Sequence, residues 1–320
     1  MITEFVLQNP FLVGSIAFIF GSVIGSFLNV CAHRIPREQS MIKPGSRCIS
    51  CGEPIPWTLN LPVFSWLLLR GKAKCCGVRI SLRYWVVEVL TGCVFAYCFL
   101  HFGANLFPEK AFVATLFASL LIGAAFTDLE SFIIPDRFSM GGAVLGVFLA
   151  FCFPAIRLGW EMGGTAEHWS SGFDALLGML VGSASIYWIG ALAGKLLRRD
   201  ALGEGDVKLL GCIGAFCGWQ GALFSIFGGA FIGTIVLLPM MLLRGKPDPD
   251  AEEAPDAGEA EDDSEPEIEK PSQVGWGIEV PFGPFLAAAA MLYHLGLHLP
   301  VDAWFDQVRH ILVALSAPRS

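Results

Sequence analysis

Charge is scarce in this chain. Of its 320 residues only 16% are Asp, Glu, Lys or Arg, against 54% hydrophobic, and the mean hydropathy is +0.60. Soluble domains carry about 25% charged residues, so this scarcity excludes a water-soluble enzyme. Basic residues are also missing where a secretory signal needs them. The first apolar run, 11–32, has no basic segment before it and no obvious cleavage site, and it is too long for a signal core. It is expected to stay on the protein as a membrane helix. Lys and Arg are absent from a third place, the 22 residues 248–269, which hold twelve of the 29 acids. The formal net charge of −8 is therefore misleading: the remainder carries 17 acids against 21 bases, net +4.

A bilayer core of roughly 30 Å takes about 20 mostly apolar helical residues, because backbone polar groups cannot stay unpaired in lipid. That ruler gives candidate spans at 11–32, 85–103, 111–129, 138–156, 173–194, 206–219, 220–243 and 280–298. The sixth is short and Gly-rich, and its neighbour follows at once, so the two are expected to form a tight hairpin around Trp219 and Gln220. The fold class is all-α: a polytopic membrane protein with about eight transmembrane helices and a cytoplasmic Cys-containing loop domain. No internal repeat of the transporter kind is visible.

The loop His33–Arg83 holds nine Lys or Arg against two acids, Glu38 and Glu53, and basic loops stay in the cytoplasm. With that loop inside and eight spans alternating, 17 of the 21 bases are cytoplasmic; only Lys110, Arg157, Arg309 and Arg319 lie outside. Dropping the sixth span would move Arg244, Lys246 and Lys270 outward, so charge favours eight. The expected organisation is a first helix at 1–32, a basic loop domain at 33–84, a transmembrane core at 85–244, an acidic cytoplasmic linker at 245–275, a last helix at 276–300 and a tail at 301–320. The linker, with five prolines and almost nothing apolar, cannot bury enough surface to offset its ordering entropy.

An ionised carboxylate at membrane depth costs several kcal/mol unless it faces water or a partner. Two acids invite attention: Asp128, ending the third span, and Asp206, opening the sixth in Gly203-Glu204-Gly205-Asp206. The charge-derived topology puts both at the cytoplasmic end of their helices. Two carboxylates in a dry site share a proton, which suits one to activate water while the other protonates or polarises a peptide carbonyl. Gly203 and Gly205 let an extended substrate chain come close. The plainer alternative is that Asp206 caps its helix and Asp128 marks a membrane boundary. Asp136, in Ile134-Pro135-Asp136, is a weaker candidate.

The second constellation is Cys48-Ile49-Ser50-Cys51 with Cys75-Cys76 further along the basic loop. Four thiolates fit a structural zinc ion, which would lend folding energy to a loop with little core. The second pair lacks the usual two-residue spacer, and adjacent cysteines chelate one ion only with strain. Four thiolates, three thiols with another ligand, and no metal all stay open. Other cysteines, such as Cys93, Cys98, Cys152, Cys212 and Cys217, sit in apolar runs and read as small hydrophobes.

With these features in view the chain resembles the prepilin peptidases, the GxGD-type membrane aspartic proteases of the type IV leader peptidase family. The blocks run in order: Gly25-Ser26-Phe27-Leu28-Asn29-Val30 with His33-Arg34-Ile35-Pro36; Cys48-x-x-Cys51; Asn60 to Trp66; Leu69-Arg70-Gly71; Ile80-Ser81-x-Arg83-Tyr84 leading to Glu88 and Thr91-Gly92. They continue through Asp128 with Ile134-Pro135-Asp136, Gly203-x-Gly205-Asp206-Val207-Lys208, and Pro281-Phe282-Gly283-Pro284-Phe285. The resemblance implies an inner-membrane endopeptidase that uses Asp128 and Asp206 to remove the basic leader of type IV prepilins or type II secretion pseudopilins. The cut would fall after a Gly on the cytoplasmic face. It also implies N-methylation of the new terminus with S-adenosylmethionine, an activity associated with the large loop. The expected partners are prepilins or pseudopilins and the lipid bilayer, with no nucleic acid. One departure is plain: Ala73 stands where the family has its third cysteine, and Cys76 holds the fourth place. The acidic stretch is a second departure, a solvated linker or an electrostatic guide for basic leaders. The rival class is a proton-coupled transporter using the same two aspartates, which would predict deeper acids, broken helices and repeat symmetry.

Overall fold

The computed structural model describes residues 8–43, 45–48, 50–103, 108–154, 165–198, 202–244 and 280–316. The expected acidic linker, 245–275, lies outside them. Among the described residues nine α-helices follow in order: α1 Pro10–Arg34, α2 Phe64–Leu68, α3 Leu82–His101, α4 Pro108–Ser131, α5 Met140–Cys152, α6 Thr165–Leu197, α7 Glu204–Arg244, α8 Gly283–Leu292 and α9 His298–Ser316. A π-helical turn, Tyr293–Leu297, joins the last two. Among the described residues the only β pairing is two isolated antiparallel bridges in the basic loop.

Local chemistry sets the ends. Pro10 opens α1, where its missing N–H costs nothing, and His33 and Arg34 occupy the last turn, where cations favour the helix dipole. Ser81 caps α3 by accepting from the Arg83 N–H. Helix α4 stops when Phe132 turns left-handed, at φ 55°, while its N–H returns to the Asp128 carbonyl at 2.9 Å.

Among the described residues six helical segments are long and apolar enough to cross a membrane: Pro10–Arg34, Leu82–His101, Glu109–Ser131, Glu167–Leu196, Glu204–Pro239 and Gly283–Leu315. The expected count of about eight is therefore approximate. The fourth expected span is helix α5, with only 13 residues, about 20 Å at 1.5 Å per residue. The sixth and seventh expected spans lie in one stretch, α7, which carries a non-helical Gly218 at φ 74°, ψ 178°. That conformation is essentially reserved for glycine. The chain reverses there: a Cβ on Gly182 would lie 2.6 Å from the Leu210 carbonyl and 3.2 Å from the Ala222 methyl. In a straight helix those two residues would be about 18 Å apart. The expected hairpin at Trp219 is thus present, its turn one residue earlier. Beyond residue 300, where a tail is expected, the chain stays helical to Ser316.

Small residues bring the helices together. Gly21, Gly25 and Gly92 seat α1 on α3, and a Cβ on Gly25 would meet the Glu88 Cα at 2.9 Å. Gly178 and Gly214 bring the backbones of α6 and α7 into direct contact. The shared core includes Leu28, Phe117, Leu121, Leu209, Ile213 and Leu286, with Phe117 stacked on Phe216 at 4.6 Å. Large apolar side chains, including Phe20, Leu180, Trp188, Phe227 and Phe231, also cover the outside. A helix that is apolar on every face belongs in lipid, and the chain is a multi-pass membrane protein.

Candidate active site

Asp128 sits in the last turn of α4 and Asp206 in the first turn of α7. One helix ends where the other begins, which brings both acids to the same end of the bundle. Both are buried, at 5% and 9% exposure, and their carboxylates are close enough to interact electrostatically. A third element reaches them. The N-terminus of α8 supplies the Gly283 backbone N–H to the Asp128 carboxylate, and helix N-termini favour negative charge. A Cβ on Gly283 would lie 2.5 Å from the Asp128 Oδ2, so only glycine leaves room for that carboxylate.

Ile134 sits between the two halves of the site. Its side chain lies 2.9 Å from the Cβ position of Gly283 and 3.0 Å from that of Gly205. Gly203 would place a Cβ 3.7 Å from the Asp206 Oδ2, so Gly203 and Gly205 flank this aspartate on its loop side. The Asp206 Oδ1 is buried with no hydrogen-bond partner among the described residues. An orphaned acceptor of this kind is costly and marks a place where water, a proton or substrate can bind. Asp136, the weaker candidate, is exposed and paired to the Lys208 Nζ at 2.8 Å. It ties the loop after α4 to the first turn of α7.

Glu130, two residues after Asp128, was not singled out by its sequence context. Its carboxylate receives the Arg83 Nη2 at 2.6 Å, the His33 Nδ1 at 2.9 Å and the Arg37 Nη1 at 3.3 Å. The basic loop is thereby fastened at both ends, through His33 and Arg83, to the helix that carries Asp128. The sequence signal was available: an acid in a span terminus facing a loop with nine bases needs a cation.

The four cysteines of the basic loop converge. Their sulfurs all lie within 4.8 Å of one another, with Cys51–Cys75 at 3.3 Å, Cys48–Cys76 at 3.6 Å and Cys75–Cys76 at 3.9 Å. A tetrahedral zinc ion with Zn–S bonds near 2.3 Å needs S···S edges of about 3.8 Å, so the set fits. Two matching knuckles hold it. In the first, the Cys48 N–H bonds the Glu53 carbonyl and the Gly52 N–H bonds the Cys48 carbonyl. In the second, Ala73 bonds Val78 and Gly77 bonds Ala73 in the same pattern, and Gly52 and Gly77 share φ 71°. Ala73 thus occupies the place of the first knuckle's leading cysteine, and Cys75 brings the missing sulfur from two residues on. Cys48 faces the N–H groups of Cys51 and Ser50, which lower its thiol from 9.0 to about 6. Cys75, hydrogen-bonded to Cys51 and Cys48, is pushed up to about 12.

Fold and site define a multi-pass helical membrane protein with a paired-carboxylate centre at one end and a thiol cluster in the loop beside it. Comparison with known proteins gives this class a name. Residues 19–102 match the bacterial peptidase A24 N-terminal domain, and residues 115–238 match the type IV leader peptidase family. The first region holds the four cysteines, the second both aspartates. Proteins named prepilin leader peptidase/N-methyltransferase are similar along much of the chain. One from Dichelobacter nodosus is 31% identical over 92% of this chain and 95% of its own length. One from Bacillus subtilis is 34% identical over 74% and 88%. One from Myxococcus xanthus is 37% identical over 73% of this chain, which spans 65% of that relative. No solved structure gives a significant match. The chain belongs to the type IV leader peptidase family, and it is an enzyme of that peptidase class, whose named relatives also carry methyltransferase in their names.

Proposed function

We propose that the protein removes the basic leader of type IV prepilins or type II secretion pseudopilins, cutting after a Gly on the cytoplasmic face of the bacterial inner membrane. The observation that carries this reading is the pair Asp128 and Asp206, both buried at the end of the bundle that holds the basic loop and close enough to interact electrostatically, with one Asp206 oxygen left without a partner among the described residues. One aspartate draws a proton from water as it attacks the scissile carbonyl; the other donates to the carbonyl oxygen. The C–N bond then breaks, and the leaving amine takes up a proton. Gly203, whose Cβ position meets only the Asp206 Oδ2 at 3.7 Å, leaves room for an extended chain beside that aspartate, and Gly205 lets Ile134 pack close at 3.0 Å. The positive-inside distribution of Lys and Arg supports the cytoplasmic assignment. The transporter alternative gains no support from the relatives.

The same protein N-methylates the new terminus, as the relatives' names suggest, with a donor of the S-adenosylmethionine type. That donor, when bound, supplies a methyl group: an N–C bond forms, an S–C bond breaks to leave a neutral thioether, and the amine loses a proton. Cys48, Cys51, Cys75 and Cys76 hold a structural zinc ion that stiffens the loop. The test is direct. Asp128→Asn and Asp206→Asn should each abolish leader removal from a synthetic prepilin, read by mass spectrometry, while membrane insertion persists. Full processing by either variant would sink the assignment.

A further inference from the structure

A cavity of about 880 Å³ opens between the last turns of α1, the first turns of α3 and the two cysteine knuckles. Its volume falls in the range of small-molecule sites. On its wall, the Glu88 carboxylate accepts the Val63 N–H at 2.7 Å and contacts Ser26. Val63 is held at φ 63°, a left-handed conformation rare for a β-branched residue, and backbone strain of this kind gathers at functional sites.

Two tryptophans complete the wall. Trp66 and Trp85 lie 5.7 Å apart at 37°. The Trp66 Nε1 reaches the Ile80 carbonyl at 3.4 Å. The Trp85 Nε1 is buried with no hydrogen-bond partner among the described residues. A buried indole N–H without an acceptor is costly, and an acceptor arriving with a ligand would satisfy it. Arg83, also on the wall, is the residue that reaches Glu130 at 2.6 Å, two positions past Asp128. An amine freed at the aspartates therefore arises next to this cavity.

We infer that this cavity is the methyl-donor site and that it takes an adenosyl sulfonium amino acid. The inference rests on the methyltransferase half of the proposed function. The chemistry matches group by group. Indole faces suit a purine, and a carboxylate at Glu88 suits a ribose diol or a sulfonium cation. The Trp85 N–H suits a ring or ribose acceptor, and an arginine at position 83 suits the amino-acid carboxylate. A leader peptide would need an extended groove rich in acids to match its positive charge, and this wall carries five bases, Arg34, Arg47, Lys74, Arg79 and Arg83, against two acids, Glu53 and Glu88.

The experiment uses the full chain in lipid nanodiscs, with S-adenosylhomocysteine as the probe in calorimetry and tryptophan fluorescence. The wild type should bind it and show a fluorescence change. Glu88→Gln and Trp85→Phe should each weaken binding about tenfold or more, and photolabelling with radioactive S-adenosylmethionine should mark peptides that line the cavity, within 26–34, 46–61 or 65–88. Trp85→Phe keeps an aromatic ring beside Trp66 but removes the N–H together with the indole's second ring, so an unchanged melting temperature in that variant is needed to separate lost binding from lost packing. Wild-type affinity in both variants, or labelling elsewhere, overturns the cavity assignment while methylation itself still stands. A wild type that cuts leaders but binds neither compound overturns the assignment together with the methyltransferase reading. Competition by a leader peptide for the same site overturns it in favour of a substrate groove.

Discussion

The Asp128 carboxylate packs directly on Gly283, close enough that a Cβ there would lie 2.5 Å from its Oδ2. The nearest atom is the reactive end of the aspartate, so an alanine at 283 fits only by turning that carboxylate away. Misplacing a reacting group by about 1 Å costs on the order of a hundredfold in rate. Gly283→Ala is therefore expected to lower leader cleavage by about that factor while the protein still inserts and keeps its helical content. Cleavage kinetics on a synthetic prepilin, alongside circular dichroism, measure both. A variant that cuts at the wild-type rate would show that Asp128 does not need this position.

Asp136 and Lys208 offer the opposite expectation. Their pair at 2.8 Å is exposed, with Asp136 at 62%, and exposed ion pairs contribute about 0–1 kcal/mol. Asp136→Asn should leave cleavage within about fivefold of wild type, with the deficit shrinking in high salt as screening removes the wild-type advantage. Loss of activity comparable to Asp128→Asn would put Asp136 in the catalytic pair in place of one of the other two.

Much of this arrangement was legible in the sequence because it is written in local chemistry. The hairpin in α7 showed as a short Gly-rich run meeting another apolar run at Trp219, and the structure turns at Gly218 with a backbone only glycine adopts. The common end of Asp128 and Asp206 followed from loop charge alone. What did not show depends on distant packing. Helix α5 has only 13 residues although apolar sequence continues past it, and α6 starts at Thr165, before its apolar run. Nothing in Pro281-Phe282-Gly283 states that the glycine abuts an aspartate some 150 residues earlier. The cage around Glu130 draws on three helices, so no window of sequence contains it.

That cage makes a prediction about the loop domain. The Glu130 side chain is 13% exposed and pairs with Arg37, Arg83 and His33, each 27–33% exposed. Glu130→Gln keeps the shape but removes the charge that gathers them. The expected cost is about 1–3 kcal/mol, the range for hydrogen bonds to charged groups reduced by partial exposure. It should appear as faster hydrogen exchange and faster tryptic cleavage at Arg37 and Arg83, with α6 and α7 unaffected. Unchanged protection across 33–84 would mean that the loop is fastened elsewhere.

The two knuckles carry a sharper prediction, because they are the same turn with different sulfur positions. Ala73 and Cys48 make equivalent backbone hydrogen bonds, so a cysteine at 73 would stand where Cys48 stands in its own knuckle. The double variant Ala73→Cys with Cys75→Ala should bind one zinc per chain, whereas Cys75→Ala alone should bind it more weakly. Metal content after dialysis against a chelator measures the difference. The pH dependence has a definite sign. In the metal-free cluster Cys48 is already a thiolate at pH 7, since its thiol is lowered to about 6 by the N–H groups of Cys51 and Ser50. Cys75, pushed up to about 12, releases its proton to solvent when a metal binds its sulfur. Acid therefore competes with the metal, and retention should fall as pH drops through about 6 and Cys48 takes its proton back. In the double variant Cys75 is gone and the new thiol sits among the backbone N–H groups of its own knuckle. Its zinc should be held at least as well as the wild type's at low pH. Equal zinc loss from Cys75→Ala and the double variant would show that the second knuckle does not supply a ligand at position 73.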